Sequence, residues 1–549
     1  MKKVVSNVIP WRVLTLLSVL VGLLFGCSSV DQWEVFTPDY EKTLEREKEE
    51  EKPVETDDWV APQELPSMTE EAGVKTYQVS VEEAVFLSLR NNPELRVQTL
   101  NPVIAGAFVE IERGVFDPTV FALFENREEN LLETSRSTSE EFSVEGSERV
   151  AEVGIRQELP TGTEVELSAE QSRSASDRTP EQQEARIGLT VTQSLLQGFG
   201  PVVNLASIRL AEWDTLISQY ELRGYGESLV AQVEIAYWQW VLAREEIEIF
   251  ERSFAVAEQQ RDEIEQRIEV GALPENDAAA VRAEVALRQQ DLINAQSALE
   301  ESRLRLARLI LPDGFVFDGG EVLPTSEPQL TEPPPLEDIH ERVELALASR
   351  PDLRESELRL DQARLETVVT QNGLLPRLDF FLALGKTGYA GSFTDSFKNL
   401  DGDNYDWTIG AEFEYALGNR VSRGERLAAR ASRDQALQSI RNLRRVIRTD
   451  VLLAANELER VRRQIGATAA TVALQNLSVQ AEKDRLEFGA GTSLQLAQVQ
   501  RDLLEAEIEQ VRAIVQYRIA QVELYLAEGS LLERRGITLT PSAFAQSVQ

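Results

Sequence analysis

Cys27 and His340 are the only residues of their types in the chain, and they limit the chemistry it can do. A single thiol cannot form an internal disulfide, and one cysteine with one histidine cannot complete a zinc or iron–sulfur site. His340 lies at a predicted helix start with no second ligand in view. The 93 acidic against 56 basic residues, a formal net charge of -37, argue against binding to nucleic-acid phosphates. We therefore expect no metal, no cofactor and no nucleic-acid partner.

The chemistry that remains open to Cys27 is lipidation. Three basic residues precede an apolar run, residues 13–26, and the run ends in the tetrapeptide LFGC at residues 24–27. As a helix this run would rise about 21 Å, short of the roughly 30 Å hydrocarbon core, so it predicts a signal peptide rather than a membrane span. The tetrapeptide resembles a bacterial lipobox, and Ser28 after it favours sorting to the outer membrane. The alternative is an ordinary signal peptide with an incidental cysteine.

Self-comparison of the chain reveals an internal repeat. Pro93 and Pro118 recur as Pro351 and Pro376, both 258 positions later. Residues 267–272 recur as residues 485–490, only 218 positions later, because the first half holds 40 more residues between its matched blocks. We predict a lipoprotein signal peptide at 1–27, an acidic linker at 28–78, a first repeat at 79–312, a Pro- and Gly-rich linker at 313–337, a second repeat at 338–530 and a C-terminal tail at 531–549.

Each repeat is predicted to run in the order helix, strand region, very long helix, sharp turn, helix. The long helices should cover residues 204–269 and 424–487, neither of which contains an interior proline. A helix of about 65 residues is a rod of roughly 100 Å. Narrow, small apolar stripes predict close-packed, coiled-coil-like seams. The shorter helices are predicted at 80–113, 277–310, 339–370 and 494–527.

The strand regions alternate apolar and polar residues. A membrane barrel strand needs this pattern, and a half-buried soluble sheet also shows it. We predict two strands in the second repeat and two to four in the first, whose longer region at residues 116–196 could add strands or a surface loop. Four to six strands cannot close a transmembrane barrel, so a chain that spans in this way must oligomerise. Three copies would supply 12 strands if each half contributed two.

The order of elements, the duplication and several motifs resemble the TolC-like outer-membrane efflux protein family over residues 79–529. The motifs are Asn92-Pro93-Glu94-Leu95, Arg350-Pro351-Asp352-Leu353, Ala236-Tyr237-Trp238, the Arg-x-Glu-x-Gly-Ala turns at residues 267–272 and 485–490, and Gly491-Thr492-Ser493-Leu494. The resemblance implies a mostly α fold with β: a homotrimer with an α-helical periplasmic tube and a 12-stranded transmembrane β-barrel. It also implies a periplasmic adaptor and an inner-membrane pump of RND or ABC type as partners, and no catalytic activity.

The resemblance places the two helix turns at the periplasmic tip, as adaptor contacts or gate. The residues concerned are Gly271, Ala272, Asp277, Gly489, Ala490, Gln495 and Gln498. Glutamines at 495 and 498 stand where some relatives carry entrance aspartates, which argues against an aspartate ring. Asp277 has two interpretations: an entrance carboxylate, or a helix-start residue favoured by the helix dipole.

The leading hypothesis is an exit duct of a tripartite efflux or type I secretion system. It would conduct substrates passively across the Gram-negative outer membrane, lipid-anchored and spanning, with a periplasmic extension. The alternative is a lipid-anchored periplasmic coiled-coil scaffold without a pore, which does not explain the alternating strands. The acidity fits either a cation-tolerant lumen or the solubility of a large assembly.

Overall fold

The computed structural model of the protein describes residues 69–71, 74–134, 137, 139, 141–271, 275–310, 321–326, 333–336, 338–488 and 490–538. Up to the second repeat the elements are β1 (Thr69–Glu71), β2 (Val74–Val79), α1 (Val81–Asn91), α2 (Pro93–Gln98), α3 (Leu100–Arg113), β3 (Thr119–Thr134), β4 (Glu141–Leu159), β5 (Thr163–Ser176), β6 (Gln182–Ser194), α4 (Pro201–Asn204), α5 (Ala206–Glu269), α6 (Asn276–Ile310) and β7 (Glu321–Pro324). The second repeat follows with α7 (Ile339–Ser349), α8 (Pro351–Asn372), β8 (Arg377–Ala390), α9 (Phe393–Lys398), β9 (Tyr405–Glu414), α10 (Arg420–Glu487), α11 (Ser493–Glu528) and α12 (Leu531–Arg534).

The first helix of each repeat is broken at its proline, where the sequence predicts one continuous helix. Proline has no N–H to donate and forces the residue before it into an extended conformation. Asn92 and Arg350 are both extended, with ψ of 118° and 123°. The Asn92 carboxamide oxygen then accepts from the backbone N–H groups of Glu94 and Leu95 at 3.0 and 3.1 Å. The break is therefore a capped corner of the chain.

The two predicted long helices are confirmed as α5, with 64 residues, and α10, with 68. The shorter helices α3 and α6 lie along α5, while α8 and α11 lie along α10. Arg113 of α3 pairs with Glu212 near the start of α5 at 3.2 Å, and Arg282 of α6 pairs with Glu265 near its end at 2.8 Å. Two short helices thus cover opposite ends of one long helix.

Six strands form one antiparallel sheet in the order β3-β4-β5-β6-β8-β9. The first repeat supplies four of them, the upper end of the expected range, because its longer strand region forms two hairpins. β6 pairs with β8, so the sheet continues from one repeat into the other. Among the described residues, β3 and β9 are each paired on one side only.

Parts of the predicted linkers and tail are more ordered than the sequence suggests. β1 and β2 fall largely within the acidic linker, and β7 falls within the Pro- and Gly-rich linker. β7 pairs with β2 in parallel, with Gln78 opposite Leu323. Leu531 and Leu532 of the predicted tail are buried in the main core. Val79 at the end of β2 packs in the same buried cluster as Leu531, Leu532 and apolar side chains of α5.

The main core surrounds the aromatic cluster of α5. Tyr237, Trp238 and Trp240 are all buried, as expected of helix-packing residues. The Tyr237 hydroxyl donates to the carbonyl of Val79 and accepts from the N–H of Ser326, both at 3.0 Å. It therefore ties the ends of β2 and β7 to the long helix.

Candidate functional site: the sheet faces and the helix tips

One face of the six-stranded sheet is apolar and exposed. The register joins one row of residues across all six strands: Val120, Ile155, Leu167, Leu189, Leu384 and Trp407. All of these except the half-buried Leu384 are exposed large hydrophobic residues. Neighbouring residues of the same face include Phe124, Val153, Ile409 and Phe413, also exposed. An exposed apolar surface of this extent marks contact with lipid or protein.

The opposite face of the sheet is polar and mainly acidic. Arg156 bridges Glu164 and Glu166 at 3.1 and 2.6 Å, and Arg186 pairs with Asp406 at 2.7 Å. The acidic residues of this face are Glu125, Glu129, Glu133, Glu148, Glu152, Glu158, Glu164, Glu166, Glu170, Glu184, Asp379, Asp406, Glu412 and Glu414. Arginines are fewer on it, so the face holds an excess of negative charge.

A phenylalanine covers a glycine across the strands in both repeats. Phe121 lies opposite Gly154 in the β3–β4 hairpin, and Phe381 lies opposite Gly410 in the β8–β9 pair. A Cβ atom on either glycine would lie 2.6 or 2.4 Å from the ring. Only glycine leaves room for the ring, so the two strand pairs use the same packing on the polar face.

The turn between β4 and β5 is anchored to the start of the long helix α5. Gly162, in the Pro160-Thr161-Gly162 turn, has a left-handed φ of 82°. The Asn204 carboxamide donates to the carbonyls of Pro160 and Gly198 at 3.0 and 2.9 Å. The sheet is thereby held on the short helix α4, which leads directly into α5.

At the far end of α5 the chain reverses at Gly271. Its φ of 75° is left-handed, which favours glycine, and its N–H donates to the carbonyl of Ile268 at 2.9 Å. A Cβ atom here would meet nothing within 4 Å, so the position is exposed. The role of Gly271 is conformational.

The equivalent turn after α10 is closed by a capping box. Thr492 accepts from the N–H of Gln495 at 3.2 Å, and the Gln495 side chain accepts from the N–H of Thr492 at 3.1 Å. The Ala490 and Gly491 N–H groups both donate to the carbonyl of Arg485, at 2.8 and 3.1 Å. Thr492 and Gln495 therefore cap the start of α11, while Gln498 is exposed.

Two apolar residues next to the turns escaped the sequence analysis as candidates. Val270 is 79% exposed and Phe488 is 86% exposed, and Phe488 stands 218 positions after Val270 in the repeated block. Leu494 is also exposed. One sequence feature could have indicated Val270 and Phe488: an apolar residue is present at the same position of both turns, although an exposed turn has no core to fill.

Several predicted site residues lie outside the described part of the chain. Cys27, Ala272 and Gly489 are not among the described residues, and Asp277 is placed only as part of the backbone of α6. Among the described residues, no cluster of His, Cys, Asp or Glu could hold a metal ion. In the same residues, no helix is long and apolar enough to cross a membrane.

Buried carboxylates join the first repeat to the end of the chain. Glu234 of α5 accepts two hydrogen bonds from the Arg535 guanidinium, both at 2.8 Å. Glu227 accepts from the N–H groups of Leu531 and Leu532 at 3.0 and 3.3 Å. Burial raises the pKa of Glu227 to about 7. No local sequence pattern indicates these pairs, because their partners lie about 300 residues apart.

Known proteins with this arrangement are outer-membrane channels. The outer membrane efflux protein profile matches residues 157–310 and 343–530. The pyoverdine export outer membrane protein OpmQ of Pseudomonas putida is 26% identical over 311 residues, 55% of this chain and 62% of OpmQ. The outer membrane protein TolC of Vibrio cholerae is 23% identical over 384 residues, 68% of this chain and 83% of TolC. The crystal structure of the Campylobacter jejuni CmeC outer membrane channel has a TM-score of 0.60 at 15% identity, covering 90% of this chain and 97% of CmeC.

The chain belongs to the outer membrane efflux protein family, because the profile covers more than half of it. The family places it in the outer membrane with an extension into the periplasm. Members of the family are trimeric channels that work with adaptor proteins and inner-membrane pumps. The mostly helical fold expected from the resemblance is thereby confirmed. The match to OpmQ spans slightly less than two thirds of that relative.

Proposed function

We propose that this protein is the exit duct of a tripartite efflux or type I secretion system. Three copies would receive substrates from a periplasmic adaptor and an inner-membrane pump of RND or ABC type and conduct them passively outward. The observation that carries the proposal is the sheet, whose exposed apolar face backs onto an acidic polar face. A closed sheet of this kind presents its apolar face to lipid and its polar face to water.

The acidic face supports a lumen that tolerates cations. Carboxylates lining a pore lower the energy of cations within it and raise that of anions. The arginines on this face form ion pairs with its acids, as Arg156 does with Glu166 and Arg186 with Asp406. The unpaired excess of carboxylates would then set the selectivity.

We propose the two helix turns as the adaptor contact or gate. Gly271 and Gly489 would permit the tight reversals, with Ala272, Ala490, Gln495 and Gln498 beside them and Asp277 at the start of α6. The exposed Val270 and Phe488 would supply the apolar part of the contact. The role of the Gln495 side chain in the turn would be structural, because it caps the start of its own helix.

We propose Cys27 as the lipidated residue, following a signal peptide at residues 1–27. The remaining segments would be the tether at 28–78, the repeats at 79–312 and 338–530, their connection at 313–337, and the end of the chain at 531–549. Mass spectrometry of the mature protein would test the lipid, since Cys27→Ser should abolish an acylated N-terminal peptide.

The experiment that tests the duct is imaging of the detergent-purified full-length protein combined with conductance in planar bilayers. We expect threefold particles with a detergent belt, a tube of roughly 100 Å, and cation-selective current. Substituting Glu152 and Glu170, which face each other on the acidic face, by Gln should reduce the cation selectivity, whereas Gln substitution of the exposed helix residues Glu300 and Glu301 should not. A monomeric rod without a belt and without current would replace the duct by the pore-free scaffold.

A further inference from the structure

The sheet of this chain ends in two long strands whose outer edges have no partner among the described residues. β3 has 16 residues and β9 has 10. A strand edge left unpaired exposes a row of N–H and C=O groups, which cannot be tolerated in lipid. Each edge therefore requires another strand, and a second copy of this chain can offer one.

The β3–β4 hairpin shares the faces of the rest of the sheet. Val120 and Ile155 continue the apolar row that reaches Trp407 at the other edge. On the apolar face this hairpin also carries Phe124 and Val153, and polar residues such as Asn126 and Arg149 occupy that face only farther from the helices. Phe121 over Gly154 repeats the packing of Phe381 over Gly410. The hairpin is built as a part of the same membrane-facing sheet rather than as a surface loop.

Strand direction allows the two edges to meet. The six strands are antiparallel to their neighbours, so β3 and β9 run in opposite directions. β9 of one copy can therefore pair with β3 of the next copy in the same antiparallel manner. The count stays even, as closed membrane sheets of bacterial single chains require.

The register of the sheet gives a reasonable tilt for such closure. Following the pairs from Thr119, the first residue of β3, across the sheet leads to Thr408 in β9, six residues before the end of that strand at Glu414. Glu414 and Thr119 both adjoin the helices, so they lie at similar heights. Six residues at about 3.3 Å over six strands at about 4.8 Å correspond to a tilt of about 35°, within the range of closed sheets.

We propose that three copies of this chain close a ring of eighteen strands through antiparallel pairing of β9 with β3 of the next copy. The proposal rests on the trimeric duct proposed above and changes its pore. The 12 strands implied by the family resemblance would require β5, already paired with β4, to become the edge. Since barrel diameter grows roughly linearly with strand number, the lumen would be about half as wide again as with twelve strands. A wider outlet suits bulky cargo.

Paired cysteine variants of the full-length protein test the ring. With the ends of β3 and β9 level, Val120 lies opposite Phe413 on the apolar face. We expect Val120→Cys with Phe413→Cys to give covalent dimers and trimers in membranes treated with oxidant or a short bis-maleimide reagent. The competing pair, Val165→Cys with Phe413→Cys, would cross-link only if β9 met β5 of the next copy, as in a twelve-stranded ring.

Controls separate failure of the ring from failure of the duct. Leu382→Cys with Ile409→Cys joins neighbouring residues within one chain, so it reports reagent access without linking copies. Each single variant reports any contribution of Cys27. Linkage of the Val165 pair instead of the Val120 pair overturns the eighteen-stranded ring and leaves the duct intact. Cryo-microscopy of the unmodified trimer in lipid nanodiscs counts the strands directly: twelve overturns the ring, and particles without threefold symmetry overturn the duct as well.

Discussion

The long helices of the two repeats have nearly the same length, 64 and 68 residues, and the helices after them have 35 and 36. The strand regions differ, with four strands in the first repeat and two in the second. Helices that pack side by side over their whole length must have matching lengths, because the apolar side chains of an extra turn on one helix would have no partner helix to cover them. A hairpin adds two strands and returns the chain to the same end of the sheet. Hence the sheet can grow where the helices cannot.

The largest effect on stability should come from breaking the buried ion pair between Glu234 of α5 and Arg535, which follows α12. Arg535→Ala leaves Glu234 buried without its guanidinium, and loss of one partner of a buried pair costs about 3–5 kcal/mol. We expect a strongly lowered unfolding temperature of the detergent-solubilised protein by circular dichroism. Arg305→Ala is the control, because its pair with Glu301 is exposed and worth less than about 1 kcal/mol. Equal unfolding temperatures for the two variants would contradict a stabilising role of the Glu234–Arg535 ion pair.

The next effect tests whether both strand regions face lipid. Val153→Arg in β4 and Ile409→Arg in β9 place a charge on the apolar face, where arginine costs about 2–4 kcal/mol near the bilayer midplane. We expect both to reduce the heat-resistant trimer in outer membranes, measured by gel mobility of unboiled samples. The matched controls are Glu152→Arg and Thr408→Arg, on the polar face of the same strands. If Val153→Arg behaved like Glu152→Arg while Ile409→Arg did not, the β3–β4 hairpin would lie outside the membrane.

The sequence predicted the helices better than the sheet for physical reasons. Helix ends carry local sequence marks, such as the Ser80–Glu83 capping box and the glycine at 271, and the structure contains both. The strand count stayed open because alternation alone does not show where a hairpin turns. Strand partners and the Glu234–Arg535 pair depend on residues far apart in the chain, which no local pattern reveals.

A smaller effect concerns the pH dependence of the helical region. Glu227 has a folded pKa of about 7, raised by burial above its ordinary 4.5. The folded state then binds the proton more tightly, so stability falls as pH rises from about 4.5 to 7, on the order of 1–3 kcal/mol. Glu227→Gln should remove this loss, so that its unfolding temperature changes less than that of the wild type between pH 5 and 8.

A carboxylate of the second repeat provides the contrast. Hydrogen bonds from Arg462 and Arg463 lower the pKa of Glu459 to about 2. Its stabilising contribution is therefore complete above about pH 4.5 and is lost only as pH falls toward 2. Glu459→Gln should leave the slope between pH 5 and 8 as in the wild type. The same slope for Glu227→Gln and wild type would show that Glu227 is not the group responsible.

Substitutions at the two helix turns should have the smallest effect on stability, although they should affect transport. Replacing Gly271 and Gly489 together with Val forces a β-branched residue into the left-handed conformation seen at Gly271, at about 1–2 kcal/mol for such a residue. Since this turn is exposed, the strain should displace the tip rather than unfold the protein. We expect drug susceptibility at matched expression to rise more for this double variant than for Asp277→Lys, whose charge lies on a helix start. If both variants kept wild-type drug susceptibility, the two helix turns would not form the adaptor contact. The functional difference between the two repeats would then lie only in their strand regions.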